Sequence, residues 1–363
     1  MLFKPVFKSK IVEDEWLNEN HNNKNILRHK FSQLSWCGLS GNPNAVHILE
    51  QNLDIVNWRC LSSNPNAIHI LEKNLDKVDW SCLSTNPNAV HILEKNLDKV
   101  DWRWMSGNPN AIHILEKNLD KVSWIALSEN TNAIHILEQN LDKVNWCLLS
   151  RNPNAICILE QNLDKVDWKW MSENQNAIHM LEKNLNKVNW YLLSRNPNAV
   201  HILEKNLYKL DIFCWQQLSG NPNAVHILEQ NLDKVDWDRL SDNPNAVHIL
   251  EKNLDKVNWY CLSTNPNAIS ILENNMNMIE FDLLSKNPNA IHILEKNLDK
   301  VNLFMLSHNA NAAHLLFRLD TDVMRANCKP FAEELVAYVF HPERMLRIAM
   351  RLNVDLDDLL ELY

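Results

Sequence analysis

Eleven histidines recur at one place in a repeating sequence, at positions 47, 69, 91, 113, 135, 179, 201, 226, 248, 292 and 314. Imidazole is a common metal ligand and titrates near neutrality, so such a column raises zinc binding and pH sensing first. Zinc needs its ligand nitrogens ~2.0–2.1 Å away. Helices in successive layers of a stack stand ~8–10 Å apart, so stacking alone brings no two of these rings onto one ion. Cys157 and Ser270 take the position in two further units, as at a surface site that tolerates small polar groups. No metal and no other cofactor is expected. Acidification should matter only if the column is tight enough for like charges to meet.

A second column is aromatic. Trp36, Trp58, Trp80, Trp102, Trp124, Trp146, Trp168 and Trp190 follow one another at 22 residues, then Trp215, Trp237 and Trp259, with Phe281 and Leu303 in the last two units. Such a column offers a platform for stacking bases or sugars, yet replacement by Phe and Leu is what an apolar packing position tolerates, and a core role is expected. Trp104 and Trp170 stand at a different place, which elsewhere holds Gly, Cys, Ala, Leu, Met, Gln or Arg. They are candidates for contact with a partner. No Gly-rich phosphate loop, paired His-Glu zinc motif or nucleophile elbow occurs. Catalysis needs one irregular constellation, whereas a repeated surface offers thirteen equivalent ones, so no enzyme is expected.

These columns are positioned by one unit, clearest over residues 80–101, W-S-C-L-S-T-N-P-N-A-V-H-I-L-E-K-N-L-D-K-V-D. Asp79 stands where an N-cap is needed for a short helix over 80–84. That helix must stop before Asn86, because the residue ahead of a proline is pushed out of the α region. The same geometry lets Asn86 cap a second helix with Pro87 at its first position. Ala89, Val90, Ile92, Leu93, Leu97 and Val100 then fall on one face, with His91, Glu94, Lys95 and Asp98 on the other. The second helix is expected to end at Asn96 in a left-handed cap. Asn88 and Asn96 are candidates for side-chain ladders between layers, and the Glu-Lys pairs read as a solvated face.

A single unit cannot bury these apolar residues alone, and stacking supplies the core. The fold class is therefore all-α, a right-handed α-solenoid of about thirteen 22-residue two-helix repeats over residues 36–318. Thirteen layers make a rod or superhelix on the order of 100–130 Å long. Residues 1–35 read as a degenerate N-terminal cap and residues 319–363 as a C-terminal helical cap or small effector module. Three extra residues near 212–214 delay unit nine and should bend or bulge the superhelix. Only 4 glycines in 363 residues fit the all-α reading.

The formal net charge of −9 repels polyanions, which makes nucleic acid an unfavoured partner. The 8 cysteines include no C-x-x-C pair, and at 8–10 Å between layers they are expected to stay reduced, as in the cytoplasm. No apolar run approaches membrane-spanning length, and no signal peptide is expected at the N-terminus.

Comparing the units with one another separates framework from variation. The residue after the Trp column and the residue before Asn-Pro vary freely, and they should form two stripes at the ends of the first helix. Arg59, Arg103, Trp104, Glu129, Arg151, Lys169, Trp170, Glu173, Tyr191, Arg195 and Tyr260 are the candidate partner-binding residues on or beside them. The reading that follows is a non-catalytic scaffold for protein–protein interaction, a monomer or weak oligomer. The alternatives are a structural or assembly protein, and a modular single-stranded RNA binder.

The unit L-S-x-N-P-N-A-[IV]-H-I-L-E-x-N-L-D-K-V-[DN]-W resembles the short helical repeats encoded in many copies by giant DNA viruses that infect amoebae. Residues 338–347, Y-V-F-H-P-E-R-M-L-R, resemble C-terminal segments of such proteins. The resemblance covers nearly the whole chain. It implies a viral origin, a virus–host partner, and the host cytoplasm or the virion as the place of action. The insertion and the eroded first unit depart from the pattern and would mark a hinge and a cap.

Overall fold

The computed structural model of the chain describes residues 35–316. The expected C-terminal cap over 319–363 lies outside them, as does all of the expected N-terminal cap over 1–35 except Ser35. The described residues hold 26 α-helices of four to eight residues, three 3₁₀ turns and no strand, in thirteen two-helix units. This is a helical-repeat solenoid.

Local chemistry sets the unit. Asp79 accepts from the Cys82 amide at 2.8 Å and starts the helix Trp80–Thr85. A Ser, Asn or Asp side chain does the same for twelve of the thirteen first helices. Glu280 makes no such bond; its longer side chain belongs to none of the preferred cap types. Asn86 then takes the extended geometry that a following proline requires, with φ −74° and ψ 113°.

The second helix begins later than expected. Residues 87–89 form a single turn, with the Ala89 amide on the Asn86 carbonyl at 3.1 Å, and the α-helix runs Val90–Glu94. In unit eight that turn is the 3₁₀ helix Pro197–Ala199, capped by Asn196 with proline in its first turn. The asparagine thus caps a lead-in turn, because Ala89 at φ −91° and ψ 6° lies outside the α region. The left-handed C-cap is also absent: the asparagine closing the helix has φ −134° at Asn162 and −131° at Asn184. Its side chain does the work instead, since Asn96 Nδ2 donates to the Ile92 carbonyl at 2.8 Å. Asn96 therefore forms no ladder between units.

The core lies between the two helix layers, where Leu83, Ala89 and Leu93 are wholly buried with Ile92 and Val100 beside them. Apart from Trp215, the tryptophans of the column sit at its edge and are only half-buried. In ten units the lysine nineteen residues later covers the ring, as Lys99 Nζ does 5.3 Å from the Trp80 centroid and Lys300 does over Phe281.

Polar side chains tie the layers together. Asn86 accepts from the Asn88 amide and donates through Nδ2 to the carbonyls of Ser62 and Asn64 in the preceding unit, at 3.0 and 3.1 Å. Asn88 donates to the Pro65 carbonyl at 2.9 Å. Ser84 donates to the Trp80 carbonyl and accepts the Asp101 amide of the next unit at 3.0 Å. These groups recur around the stack, so the buried backbone between layers is satisfied by the repeat's own side chains.

The ladder does not end. Asn42 of unit one donates to the carbonyl of Asn309 in unit thirteen at 3.1 Å, and Asn44 to Ala310 at 3.0 Å. The thirteen units close into a ring, which replaces the expected open rod. Consecutive first helices pack directly on one another while consecutive second helices meet much less. In a closed ring the tighter-spaced layer lies at the smaller radius, so the first helices form the inner edge. Layers ~9 Å apart differ by about 4 Å of arc per unit when thirteen units share one turn, and each unit turns by about 28°.

The three-residue insertion does not bend this ring. It adds a turn to the start of one first helix, Ile212–Ser219, capped by Asp211. Beyond it the ladder resumes with three residues added to its spacing: Asn221 donates to Ser194 and Asn196, and Asn223 to Pro197. The extra turn adds cover to Trp215, which is 5 % exposed where other tryptophans are half-buried.

Candidate interaction surface on the first helices

On each first helix the third and fourth residues after the tryptophan face the core, as Leu83 and Ser84 do. At 100° per residue the first, second and fifth residues after the tryptophan then face away, toward the inner edge. The variable stripes occupy these positions. Arg59, Arg103, Trp104, Glu129, Arg151, Lys169, Tyr191, Arg195 and Tyr260 are exposed; Trp170 and Glu173 are half-buried.

The structure brings five of them together across units six to eight. Glu173 lies between Arg151, whose Nε is 3.5 Å from Oε2, and Arg195, whose Nη2 is 3.7 Å from Oε1. Trp170 carries Lys169 at 5.5 Å and Arg151 at 5.8 Å from its centroid. The cations are spread over an aromatic face and one carboxylate. Exposed pairs of this kind add ~0–1 kcal/mol each to stability, so the cluster is free to serve something other than folding. In unit four, Arg103 stands 5.3 Å over Trp104 and 3.8 Å from Asp101. Arg59, Glu129, Tyr191 and Tyr260 are not drawn into either group.

Ile125 and Phe304 belong to the same surface, at 63 % and 49 % exposure. Their signal was present as large apolar side chains in a column otherwise rich in polar ones. The insertion adds Ile212 and Phe213, both strongly exposed, and Tyr208 just before it, also strongly exposed, stands where most other units carry Asp.

One expectation about reactive groups changes. Cys37 and Cys60 form a disulfide, with Cα atoms 5.5 Å apart. The 8–10 Å spacing applies between helix axes, whereas these residues lie on facing sides of adjacent inner helices and approach more closely than the axes do. Among the free thiols, burial raises Cys147 and Cys261, with nearby Asp167 and Asp238 adding to it. That is opposite to the electropositive setting that activates a cysteine. Burial, then Asp211, pushes Cys214 up to about 11.

The histidines lie on the second helices; nine of them point to the glutamate nineteen residues earlier in the preceding unit, and His226, past the insertion, points to Glu204 twenty-two residues earlier. His91 Nε2 is 2.7 Å from Glu72 and His201 2.8 Å from Glu182; His135 pairs with Glu116 likewise. The spacing of nineteen was readable in the sequence, but nothing local marks it. Among the described residues no group of three or more His, Cys, Asp or Glu side chains is placed to hold a metal ion, and no helix is long and apolar enough to cross a membrane.

No family model, no curated protein and no solved structure matches the chain.

Proposed function

We propose that the ring is a non-catalytic scaffold that holds a protein partner through the variable side chains of its inner helices. The observation that carries this is a division within the unit. The Ser, Asn, Leu and Ala columns are buried and committed to stacking, while the positions that vary are the exposed ones on the inner edge, with Trp104, Tyr191, Tyr260 and Phe304 among them. Aromatic residues and arginine are the types that dominate binding energy at protein interfaces, and Arg103, Trp104, Arg151, Trp170, Tyr191 and Arg195 stand within units four to eight without serving the core. The resemblance of the repeat to those of giant DNA viruses makes a host protein the first partner to seek.

The test is affinity capture from an amoebal host lysate with the wild-type chain beside a variant in which Arg103, Trp104, Arg151, Lys169, Trp170 and Arg195 are all Ser. A partner retained by the wild type and lost by the variant supports the reading. Recovery of the same proteins by both removes it. Binding of homopolymer RNA at low salt, where the electrostatic contribution is greatest, would favour the RNA-reading alternative instead.

A further inference from the structure

We infer that the inner helix face of units ten to thirteen takes a basic segment of the protein partner, with an arginine side chain of that segment laid over Tyr260 between Asp238 and Asp282. This rests on the reading of the inner edge as the surface that holds a partner, and it names the partner's chemistry.

Asp238, Tyr260 and Asp282 each follow the column residue of their unit, Trp237, Trp259 and Phe281, so they succeed one another along the inner edge. Tyr260 is 62 % exposed and leaves its ring open to a ligand. Asn258 ties it to Asp238: the Asn258 side-chain oxygen accepts the Tyr260 amide at 3.0 Å, while Nδ2 donates to Asp238 Oδ1 at 2.7 Å. Asn302 donates to Asp282 Oδ1 from the following unit at 3.1 Å, and Thr264 to Asp242 Oδ1 at 3.1 Å. All three donors are neutral, so they orient the carboxylates and leave their charge in place.

What this arc lacks is countercharge. Elsewhere on the inner edge Glu173 lies between Arg151 and Arg195, and Asp101 lies beside Arg103. Over units ten to twelve Asp236, Asp238, Asp242, Glu280 and Asp282 face only Arg239 and Lys286 on the same helices. Among the described residues no Lys, Arg or His nitrogen stands within 4.0 Å of those five carboxylates. The excess is felt at Cys261, whose thiol is raised by burial first and then by Asp238 and Asp242, each of which outweighs the opposing Arg239.

A partner's cation completes the arrangement. A cation over an aromatic face is worth ~0.5–1 kcal/mol at an exposed site and ~2 when water is excluded. Arginine fits best, because its planar guanidinium stacks on the ring and bonds a carboxylate at once. Phe304, exposed one unit beyond Asp282, continues the aromatic row for the rest of the segment. The chain's net charge of −9 draws a basic segment in and repels nucleic acid from this arc.

Fluorescence anisotropy of a fluorescein-labelled Arg-Gly-Ser repeat peptide with the full chain at low salt tests this. The wild type is expected to bind it, and a Glu-Gly-Ser repeat peptide is expected not to bind. Tyr260→Ala, which alters no charge, should weaken binding by about tenfold, and Tyr260→Phe should retain it. Asp238→Asn with Asp282→Asn should weaken it by at least as much, whereas Glu94→Gln with Glu116→Gln, the same charge change on the second helices, should leave it unaltered. No binding by the wild type, equal binding by Tyr260→Ala, or equal weakening by the Glu94 and Glu116 pair overturns the inference. A partner captured from lysate that is lost by the six-Ser variant, yet held equally by Tyr260→Ala and by the Asp238 and Asp282 pair, overturns it too and leaves the scaffold reading standing. Peptide binding that depends on Tyr260 without any captured partner does the reverse.

Discussion

Asn42 donates to the carbonyl of Asn309 over 3.1 Å although 267 residues separate them, and it is the bond that Asn86 makes to Asn64 one unit back. The seam between units thirteen and one is thus built like any other layer contact, without the covalent link. Gly38 is where that shows: a Cβ built there falls 2.6 Å from the His308 ring, whereas at Gly41 nothing lies within 4 Å. A side chain at 38 must displace the imidazole that packs against it.

Gly38→Leu is accordingly expected to push the His308 ring aside and loosen the seam, and Gly41→Leu to leave it as it is. Hydrogen–deuterium exchange reads the difference in the backbone of residues 42–46 and 309–313. Faster exchange there in Gly38→Leu alone is the expected result; equal protection in the two variants would count against closure through this contact.

The asparagine columns carry different weights. Asn86 is buried and its Nδ2 serves two buried carbonyls, while Asn88 makes one bond at an exposed edge. Asn86→Ala removes both bonds and takes its side-chain partner from the Ser62 carbonyl, while the Asn64 carbonyl keeps the Ala67 amide; it should cost about 2 kcal/mol, since an unsatisfied buried group costs ~1–3 kcal/mol. Asn88→Ala should cost about 1 kcal/mol or less. Denaturant melts of the two variants beside wild type check the order; equal losses would show that Asn86 acts only as a turn cap.

The helices and their boundaries were legible because they rest on local chemistry: Asp79 before an apolar run and Asn86 before Pro87 have few other solutions. Closure was not, because it accumulates about 28° at a time from the difference in spacing between inner and outer layers, and no single residue encodes that difference. The stripes were legible as variation between units, while their place on the inner edge depended on that curvature. Lys99 over Trp80 and His91 beside Glu72 were written in the spacing, but only the stacked geometry says which columns meet. Phe213 was visible as an interruption of the period. That the chain absorbs it as one helical turn follows from Asp211, which caps the new start as Asp79 caps the ordinary one.

The Cys37–Cys60 disulfide closes a loop with a sequence separation of 23. In the chain-entropy account a loop of this size stabilises by about 3 kcal/mol. Peptide mapping without reductant should recover the two segments linked. Reduction, or Cys60→Ser, should lower the denaturation midpoint by a corresponding amount. A midpoint insensitive to reductant, with the linked peptide present in the unreduced sample, would show that the adjacent layers hold this pair without the bond.

Cys214 offers a test of the unit-nine geometry in solution. Its thiol is 3 % exposed, lies beside the Asp211 carboxylate that caps its own helix, and is raised to about 11 by burial first and the carboxylate second. Because alkylation proceeds through the thiolate, Cys214 should label far more slowly at pH 8 than the exposed Cys157, and its rate should keep climbing as pH approaches 11. The linked stability has a fixed sign. A folded value above the unfolded one means the unfolded chain loses its proton first, so the contribution is complete below about pH 9 and fades as pH rises through about 11. Asp211→Asn removes one cause and leaves the larger, so it should bring the labelling profile down partway toward an ordinary thiol. Mass spectrometry of the Cys214 peptide across pH 8 to 11 reads this directly. A profile that matches Cys157 in rate and midpoint would show that the extra turn does not bury the thiol.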